Sequence, residues 1–175
     1  MLSEVLLRYK DIYAGTADIV CGFDKIESGL VFDEATHTYT YNGVELESVT
    51  RMIDSSSSYE YVPESVLKRA ASRGTEIHKQ IEMYIKDGIE SDSYEFRCFL
   101  ELLNKPSDIF KGKCVIDIKT YNTPTQKNID KAEEQTALYR KALCYLTGVE
   151  EKEVKRYVIV LPKEPKKPKV YMFDD

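Results

Sequence analysis

An aspartate and a lysine stand two residues apart, as Asp117 and Lys119, at the end of the apolar run 114–119. Side chains two apart on a strand point to the same face. A strand here would therefore present a carboxylate and an ammonium together and send Ile116 and Ile118 to the opposite face. Such a pair can hold a divalent metal and activate a water molecule. Because alternating charges are also common on exposed strands, the pair needs support from other residues.

Two further pairs have the four-residue spacing that places side chains on one face of a helix. His78 and Glu82 form the first pair, beside an apolar stripe that contains Ile77 and Ile81. An imidazole and a carboxylate on one face can both address a metal or a water. Gln135 and Tyr139 form the second pair. Each pair alone is also typical of a solvated helix surface.

The elements that must position these residues follow from periodicity and from turn and cap signals. The segment 4–23 predicts a hairpin or two successive strands. The segment 32–46 predicts a hairpin, and Asn42-Gly43 supplies its turn. Ser48-Val49-Thr50 leads into a short helix. Helical patterns begin near Pro63, are interrupted at Gly74, and resume from Thr75 to Gly88. The other predicted elements are, in chain order, a helix over 94–104, a strand over 114–119, a long helix that ends at Gly148, with Asp130 as its cap and Glu133 in the capping-box position, and strands over 156–161 and 170–173.

Three motifs occur in one order along the chain: Arg73-Gly-Thr-Glu-Ile-His-Lys-Gln-Ile-Glu82, Val115-Ile-Asp-Ile-Lys-Thr120 and Gln135-Thr-Ala-Leu-Tyr139. Together they resemble the RecB-like branch of the PD-(D/E)XK nuclease superfamily, especially its phage-type members. The first resembles that family's R-G-x-x-x-H-x-x-x-E helix, the second its (D/E)-x-K strand and the third its Q-x-x-x-Y helix. The segment 32–50 resembles the first hairpin of the phage proteins, so the resemblance covers most of the chain.

One departure from the family concerns a second aspartate, usually in a G-x-x-D strand shortly before the (D/E)-x-K strand. Only Asp108 lies in that region here, whereas the pattern occurs near the N-terminus as Gly15-Thr-Ala-Asp18-Ile-Val. We infer a circular permutation or other rearrangement, natural or engineered, with 104–111 as the bridge and 24–29 as the join. The Asp18 strand should then lie beside the Asp117 strand; otherwise Asp108 is the missing ligand.

The resemblance implies an α/β (α+β) fold with a restriction-endonuclease-like core, a mixed central sheet flanked by helices, and a displaced N-terminal hairpin. One domain, 1–175, is expected: 1–29 would be the displaced hairpin carrying Asp18 plus the join, and 30–175 the remainder. The composition, 42% hydrophobic and 31% charged, is that of a globular domain.

The resemblance also implies roles for the site residues. Mg²⁺, or Mn²⁺ as a substitute, would be the cofactor. Lys119 would orient and deprotonate the attacking water or stabilise charge on the phosphate. The other roles are as follows: Asp18, Asp117, the Ile118 carbonyl, His78 and Glu82 as metal ligands; Gln135 and Tyr139 on the DNA backbone or against Lys119; Arg73 and Thr120 as contacts to phosphate or to the ligand residues.

The function expected is a metal-dependent deoxyribonuclease, an exonuclease of phage or recombination DNA processing. A structure-specific or nicking endonuclease is the enzymatic alternative, a non-catalytic DNA-binding or assembly module that keeps the fold is another, and an unrelated α+β protein with chance matches is the third. The net charge of −5 does not favour nucleic-acid binding. A homo-oligomer or a recombination partner protein would compensate. The lysine-rich segment 162–169 is interpreted as a solvated edge loop, with backbone contact as the alternative.

Localisation is expected to be cytoplasmic, in a bacterial or phage-infected cell, because the chain shows neither a membrane span nor a signal-peptide pattern. The four cysteines are scattered without a C-x-x-C pair, which argues against a zinc site and predicts buried free thiols. They are Cys21, Cys98, Cys114 and Cys144.

Overall fold

A four-stranded mixed sheet forms the centre of the fold. The computed structural model describes residues 19–23, 30–33, 35–36, 38–54, 62–105 and 109–174 of the chain. The order in the sheet is β1-β5-β6-β7, and only β5 and β6 run parallel. The strands are β1 (Ile19–Cys21), β5 (Cys114–Lys119), β6 (Lys155–Val160) and β7 (Lys169–Phe173).

The strand β1 pairs antiparallel with β5, and Ile19 lies opposite Ile116. Roughly a hundred residues of chain separate these two positions. The prediction that the strand following Asp18 lies beside the Asp117 strand is therefore confirmed for Ile19–Cys21. Asp18 itself, the rest of the predicted hairpin over 4–23, and Asp108 lie outside the described residues.

Two helices cover one face of this sheet: α2 (Glu64–Asp87) and α3 (Tyr94–Asn104). Every fourth residue of the second half of α2 is buried against the sheet, because a period of 3.6 returns those positions to one side. The residues that meet in this core include Ile77, Ile81, Ile85, Phe96, Phe99, Leu103, Ile116 and Ile118.

The opposite face is covered by α4 (Gln126–Thr147), which connects the parallel strands β5 and β6. A parallel pair requires such a crossover, since the chain must return to the starting edge. Its buried contacts form two smaller clusters: Val20, Val115, Tyr139 and Leu143 in one, and Ile129, Ala132, Val158 and Val160 in the other.

A second sheet of three strands precedes the helices: β2 (Leu30–Asp33), β3 (Thr38–Tyr41) and β4 (Val44–Leu46). The β3–β4 turn consists of Asn42 and Gly43, with φ of 50° and 78°. Both values match the positive φ that a two-residue hairpin turn requires, so this prediction is confirmed. The short helix α1 (Val49–Asp54) follows as predicted.

The predicted interruption at Gly74 is wrong, because α2 runs without a break through that residue. A single glycine lowers helix stability by only about 1 kcal/mol, which packing of the apolar stripe offsets. The end of the helix is as predicted: Gly88 adopts φ 70° and donates to the carbonyl of Tyr84.

The predicted cap of the long helix is also wrong. The cap of α4 is Thr125, whose hydroxyl accepts from the Asn128 backbone, while the Asn128 side chain accepts from the Thr125 N–H. Asp130 and Glu133 lie inside the helix, one turn further on. Both sites match the capping pattern, and the earlier one extends the helix by a turn.

The coarse fold prediction is confirmed: the chain is a mixed α/β structure with a mixed sheet and flanking helices. Within the described part of the chain, none of the helices has the length and apolar character needed to cross a membrane.

Candidate functional site

Asp117 and Lys119 lie on the α4 face of β5, at the carboxyl end of the parallel strands. The Asp117 Oδ2 atom is 2.9 Å from Lys119 Nζ. Ile116 and Ile118 point to the opposite face and enter the larger core. The predicted division of this strand into a charged face and an apolar face is therefore confirmed.

A chain of polar contacts continues from Lys119 onto α4. Lys119 Nζ donates to Gln135 Oε1 at 2.7 Å. The Gln135 amide in turn donates to the hydroxyl of Tyr139, which lies one turn later on the same helix face. The (D/E)-x-K strand and the Q-x-x-x-Y helix thus meet, and the side chains of both motifs form one network.

The charged pair of this network is unequally exposed. Asp117 is 1% exposed, whereas the Lys119 side chain keeps 19% of its surface in solvent. Burying an ion pair gives little net stability, since desolvation offsets the attraction between the charges. Replacement of a buried ion pair by hydrophobic residues of similar volume is often neutral for stability, so the fold alone does not require this pair. Burial of Asp117 fixes the position of the pair, and the partial exposure of Lys119 leaves its ammonium accessible to a ligand.

Arg73 joins three elements beside this network. Its guanidinium contacts the Glu95 carboxylate through Nε at 2.8 Å and Nη2 at 2.7 Å. It also donates to the carbonyl of Thr120 and, at 3.4 Å, to that of Leu161. Arg73 therefore ties the ends of β5 and β6 to α3, and its role in the described structure is to position these strands.

Glu95, the acidic partner of Arg73, is not among the residues predicted from the sequence. It is 9% exposed and begins the buried face of α3, one turn before Phe99. An acidic residue in line with an apolar stripe is unusual, because a buried carboxylate needs a partner. That position was the signal available in the sequence.

Gly74 allows α2 to approach the end of β5. A Cβ atom at this residue would lie 3.3 Å from Thr120 Oγ1, closer than ordinary van der Waals contact. The glycine of the R-G-x-x-x-H motif thus permits a close contact between the helix and the end of the strand. Thr120 is one of the residues against which the helix packs.

His78 and Glu82 line a groove on the surface of α2, which also includes Gly74 and has a volume of about 710 Å³. The Glu82 carboxylate pairs with Lys86 one turn later. Among the described residues, no three histidine, cysteine, aspartate or glutamate side chains converge as a metal site would require. The structure thus brings Asp117 and Lys119 to Gln135 and Tyr139, and does not bring His78 and Glu82 into a metal-binding cluster with Asp117.

The fit to Mg²⁺ depends on the carboxylates. Asp117 supplies a hard oxygen ligand of the kind that Mg²⁺ prefers. The backbone of Ile118, the next residue of β5, is at the same strand end. Within the described residues this donor set has one carboxylate, and a second would come from Asp18 or Asp108.

Comparison with known proteins gives no relative from which a function could be carried over. No protein-family model matches this chain, and no curated protein or solved structure matches it.

Proposed function

We propose that this protein is a divalent-metal-dependent nuclease that hydrolyses DNA phosphodiester bonds and has a restriction-endonuclease-like core. The observation that carries the proposal is the buried Asp117–Lys119 pair extended by Gln135 and Tyr139. Residues of two sequence motifs, sixteen positions apart for Lys119 and Gln135, meet at one strand end. Ligands bind at this edge in open α/β sheets. Chance matches to short motifs would not be expected to converge in space.

Asp18 is the proposed second carboxylate, in a chain that is circularly permuted relative to the family it resembles. Its neighbour Ile19 pairs with Ile116, the residue before Asp117. Consecutive Cα atoms are about 3.8 Å apart across a trans peptide bond. Val20, two residues after Asp18, packs with Val115 on the face that also carries Asp117. These facts favour Asp18 over Asp108.

Phosphodiester hydrolysis needs a nucleophilic water in line with the leaving oxygen and positive charge near the phosphate. Bound Mg²⁺, or Mn²⁺ in its place, would supply Lewis-acid charge that offsets the phosphate and favours ionisation of the attacking water. Asp117, Asp18 and the Ile118 carbonyl are the proposed ligands, and His78 and Glu82 remain the candidates for a second ion.

Lys119 is the residue proposed to act on the reacting groups. Asp117 and Gln135 hold its ammonium from two sides, at 2.9 Å and 2.7 Å. A donor held in place before the reaction loses little by reorganising during it. Lys119 would orient the water and stabilise charge that develops on the phosphate. Gln135 and Tyr139 would keep the ammonium in position.

A second candidate function is a DNA-binding or assembly module that keeps the fold without hydrolysing DNA. It is favoured by one observation: the described residues contain no group of three protein ligands for a metal. Binding of a divalent metal or DNA without turnover would identify this case.

The test is cleavage of end-labelled linear DNA, double- and single-stranded, with Mg²⁺, Mn²⁺ or EDTA. We expect metal-dependent cleavage by the parent protein and a loss of at least about a hundredfold in Asp117→Asn, Asp18→Asn and Lys119→Ala. Asp130→Asn, an exposed carboxylate on α4, is the matched control and should cleave normally.

A folded parent protein without cleavage in any metal would contradict the nuclease proposal. Normal cleavage by Asp18→Asn together with loss in Asp108→Asn would instead overturn the assignment of Asp18. Covalently closed circular DNA distinguishes the exonuclease, which needs an end, from the endonuclease, which does not.

The Gln135–Tyr139 contact provides a graded test of the same site. Tyr139→Phe keeps the buried ring and removes the hydroxyl that contacts the Gln135 amide. We expect kcat to fall several-fold, much less than in Lys119→Ala, because Lys119 keeps both of its direct partners. An unchanged kcat would show that the orientation of Gln135 does not matter to the reaction.

A further inference from the structure

The loop over residues 162–169 is rich in lysine and leaves the sheet at the strand end that carries the candidate site. Residues 163–169 contain four lysines and one glutamate, in a chain whose net charge is −5. All four lysine side chains are exposed. We call residues 162–169 the lysine loop.

The lysine loop starts directly beside Lys119. Leu161, the residue before the loop, donates its N–H to the Lys119 carbonyl at 2.8 Å. Arg73 contacts the carbonyls of Leu161 and Thr120, which fixes the point where the loop leaves the sheet. The lysine loop therefore leaves the sheet at the strand end that carries the proposed reaction centre.

Several hydrogen bonds hold the lysine loop in one shape. Lys166 Nζ donates to the Asn122 carbonyl at 3.2 Å and to Thr123 Oγ1 at 2.5 Å. The Lys163 N–H donates to the Asn122 side chain at 3.3 Å, and the Tyr94 hydroxyl donates to the Lys166 carbonyl at 2.9 Å. A loop already held in place loses little conformational entropy when it binds a ligand.

The lysine loop and residues 121–124 enclose a cleft of about 390 Å³. Its floor is formed by Val160, Pro162 and Pro168, and its rim carries Lys167 and Lys169. Residues 121–124 also lead into the N-terminus of α4, whose dipole adds partial positive charge at this edge. A cleft with an apolar floor and a cationic rim suits a sugar–phosphate unit.

We propose that the lysine loop and residues 121–124 bind the phosphate backbone of the DNA strand that enters the site, independently of its sequence. This inference deepens the proposed nuclease function and rests on it. Lys163, Lys167 and Lys169 are the backbone contacts, and Lys166 positions the loop. The arrangement explains how an acidic chain holds DNA, because only the local potential matters to the phosphates.

The experiment measures binding of a fluorescein-labelled DNA duplex by anisotropy in EDTA, where a metal-dependent enzyme cannot cleave, from 50 to 200 mM salt. The test variant is Lys163→Gln/Lys167→Gln/Lys169→Gln. The control is Lys111→Gln/Lys152→Gln/Lys155→Gln, which removes the same charge from exposed lysines at the opposite, amino end of β5 and β6. Thermal unfolding verifies that both variants fold.

We expect the test variant to lose at least about tenfold in affinity at 50 mM salt. Its salt dependence should fall by up to about 0.9 in log–log slope for each phosphate contact removed. The control should lose less than about threefold. Equal losses in the two variants would overturn the inference.

A separate readout distinguishes this inference from the nuclease proposal. Hydrolysis of the small diester bis(p-nitrophenyl) phosphate with Mn²⁺ by the parent protein tests the nuclease on its own, because this substrate has no DNA backbone to bind. Diester hydrolysis by the parent together with loss of DNA binding in the test variant supports both proposals. DNA binding that depends on the lysine loop, without hydrolysis of either substrate, supports the loop and overturns the nuclease.

Discussion

The Arg73–Glu95 pair illustrates how a motif residue can serve the fold at the edge of a site. The two side chains are 18% and 12% exposed, and they join through two guanidinium nitrogens. The family resemblance implied that Arg73 contacts phosphate or supports the ligand residues. In the described structure its donors are directed at Glu95, Thr120 and Leu161, so support of the strand ends is the role that these contacts favour.

Removal of one charge from this pair should be more damaging than removal of both. Arg73→Met leaves the Glu95 carboxylate buried without its cation, and we expect a loss of about 3–5 kcal/mol in the free energy of unfolding. The double variant Arg73→Met/Glu95→Met should recover at least about 1 kcal/mol of this loss. Urea denaturation of the two variants and the parent measures both values.

The reverse order of stabilities would contradict this account of the pair. If the double variant is less stable than Arg73→Met alone, Glu95 has another stabilising partner. Glu101→Gln on the same helix serves as a control, because its carboxylate pairs with Lys105 at the surface and its loss should have little effect.

At the scale of elements, the start of α4 depends on a competition between two capping patterns. Thr125 with Asn128 forms a capping box in which both side chains bond the opposite backbone N–H. Asp130 with Glu133 has the same spacing, but Asp130 instead accepts from Gln126 within the helix. The earlier cap prevails because it adds a turn, and hence further backbone hydrogen bonds, to the helix.

The two candidate caps therefore predict different responses to substitution. Thr125→Ala removes the hydroxyl that accepts from the Asn128 N–H, and we expect a loss of about 1 kcal/mol in unfolding free energy. Asp130→Ala at an exposed helical position should change it by less than about 0.5 kcal/mol. Chemical denaturation measures both. A larger loss of unfolding free energy in Asp130→Ala than in Thr125→Ala would instead support Asp130 as the cap, as predicted from the sequence.

At the scale of the whole molecule, the four cysteines are distributed over the sheet and the helices on both of its faces. Their reactivity therefore measures whether these parts stay packed together. All four are buried free thiols, as predicted. Cys21 lies opposite Cys114 across the β1–β5 pair. A hydrogen bond with Cys114, and then burial, raises the pKa of the Cys21 thiol, whereas burial is the main cause that raises the pKa of Cys98 and Cys144.

The raised pKa values predict slow thiol chemistry in the folded protein. The thiolate is the reactive form, so Ellman's reagent at pH 8 should react with the native protein far more slowly than with the urea-unfolded chain. Rapid native reaction of Cys21 would show that β1 separates readily from β5. Cys21→Ala identifies the contribution of that thiol.

The same shifts determine a direction for stability against pH. A thiol with a raised pKa in the folded state binds its proton more tightly there than in the unfolded chain. Its contribution is complete below the ordinary pKa of 9.0 and declines as the pH rises from there toward the folded value. The free energy of unfolding should therefore be lower at pH 10 than at pH 8, and Cys21→Ala should reduce the difference.

Local chemistry in the sequence determined most of the elements and one half of the site. The alternation in 114–119 specified which side of β5 carries Asp117 and Lys119, because strand side chains alternate by covalent geometry. Asn42-Gly43 indicated the β3–β4 turn and Gly148 the end of α4, because these positions need a positive φ. The four-residue spacing of Gln135 and Tyr139 placed them on one helical face.

Tertiary structure alone decided which of these faces meet. Gln135 reaches Lys119 because α4 crosses back over β5, and Glu95 becomes the partner of Arg73 because α3 packs beside α2. The helix α2 continues through Gly74 because its apolar stripe packs into the core. Each outcome depends on contacts between residues far apart in the chain, and local sequence patterns carry no information about such contacts. The sequence by itself therefore determined which residues could do chemistry, and the packing of helices on the sheet decided which of them act together.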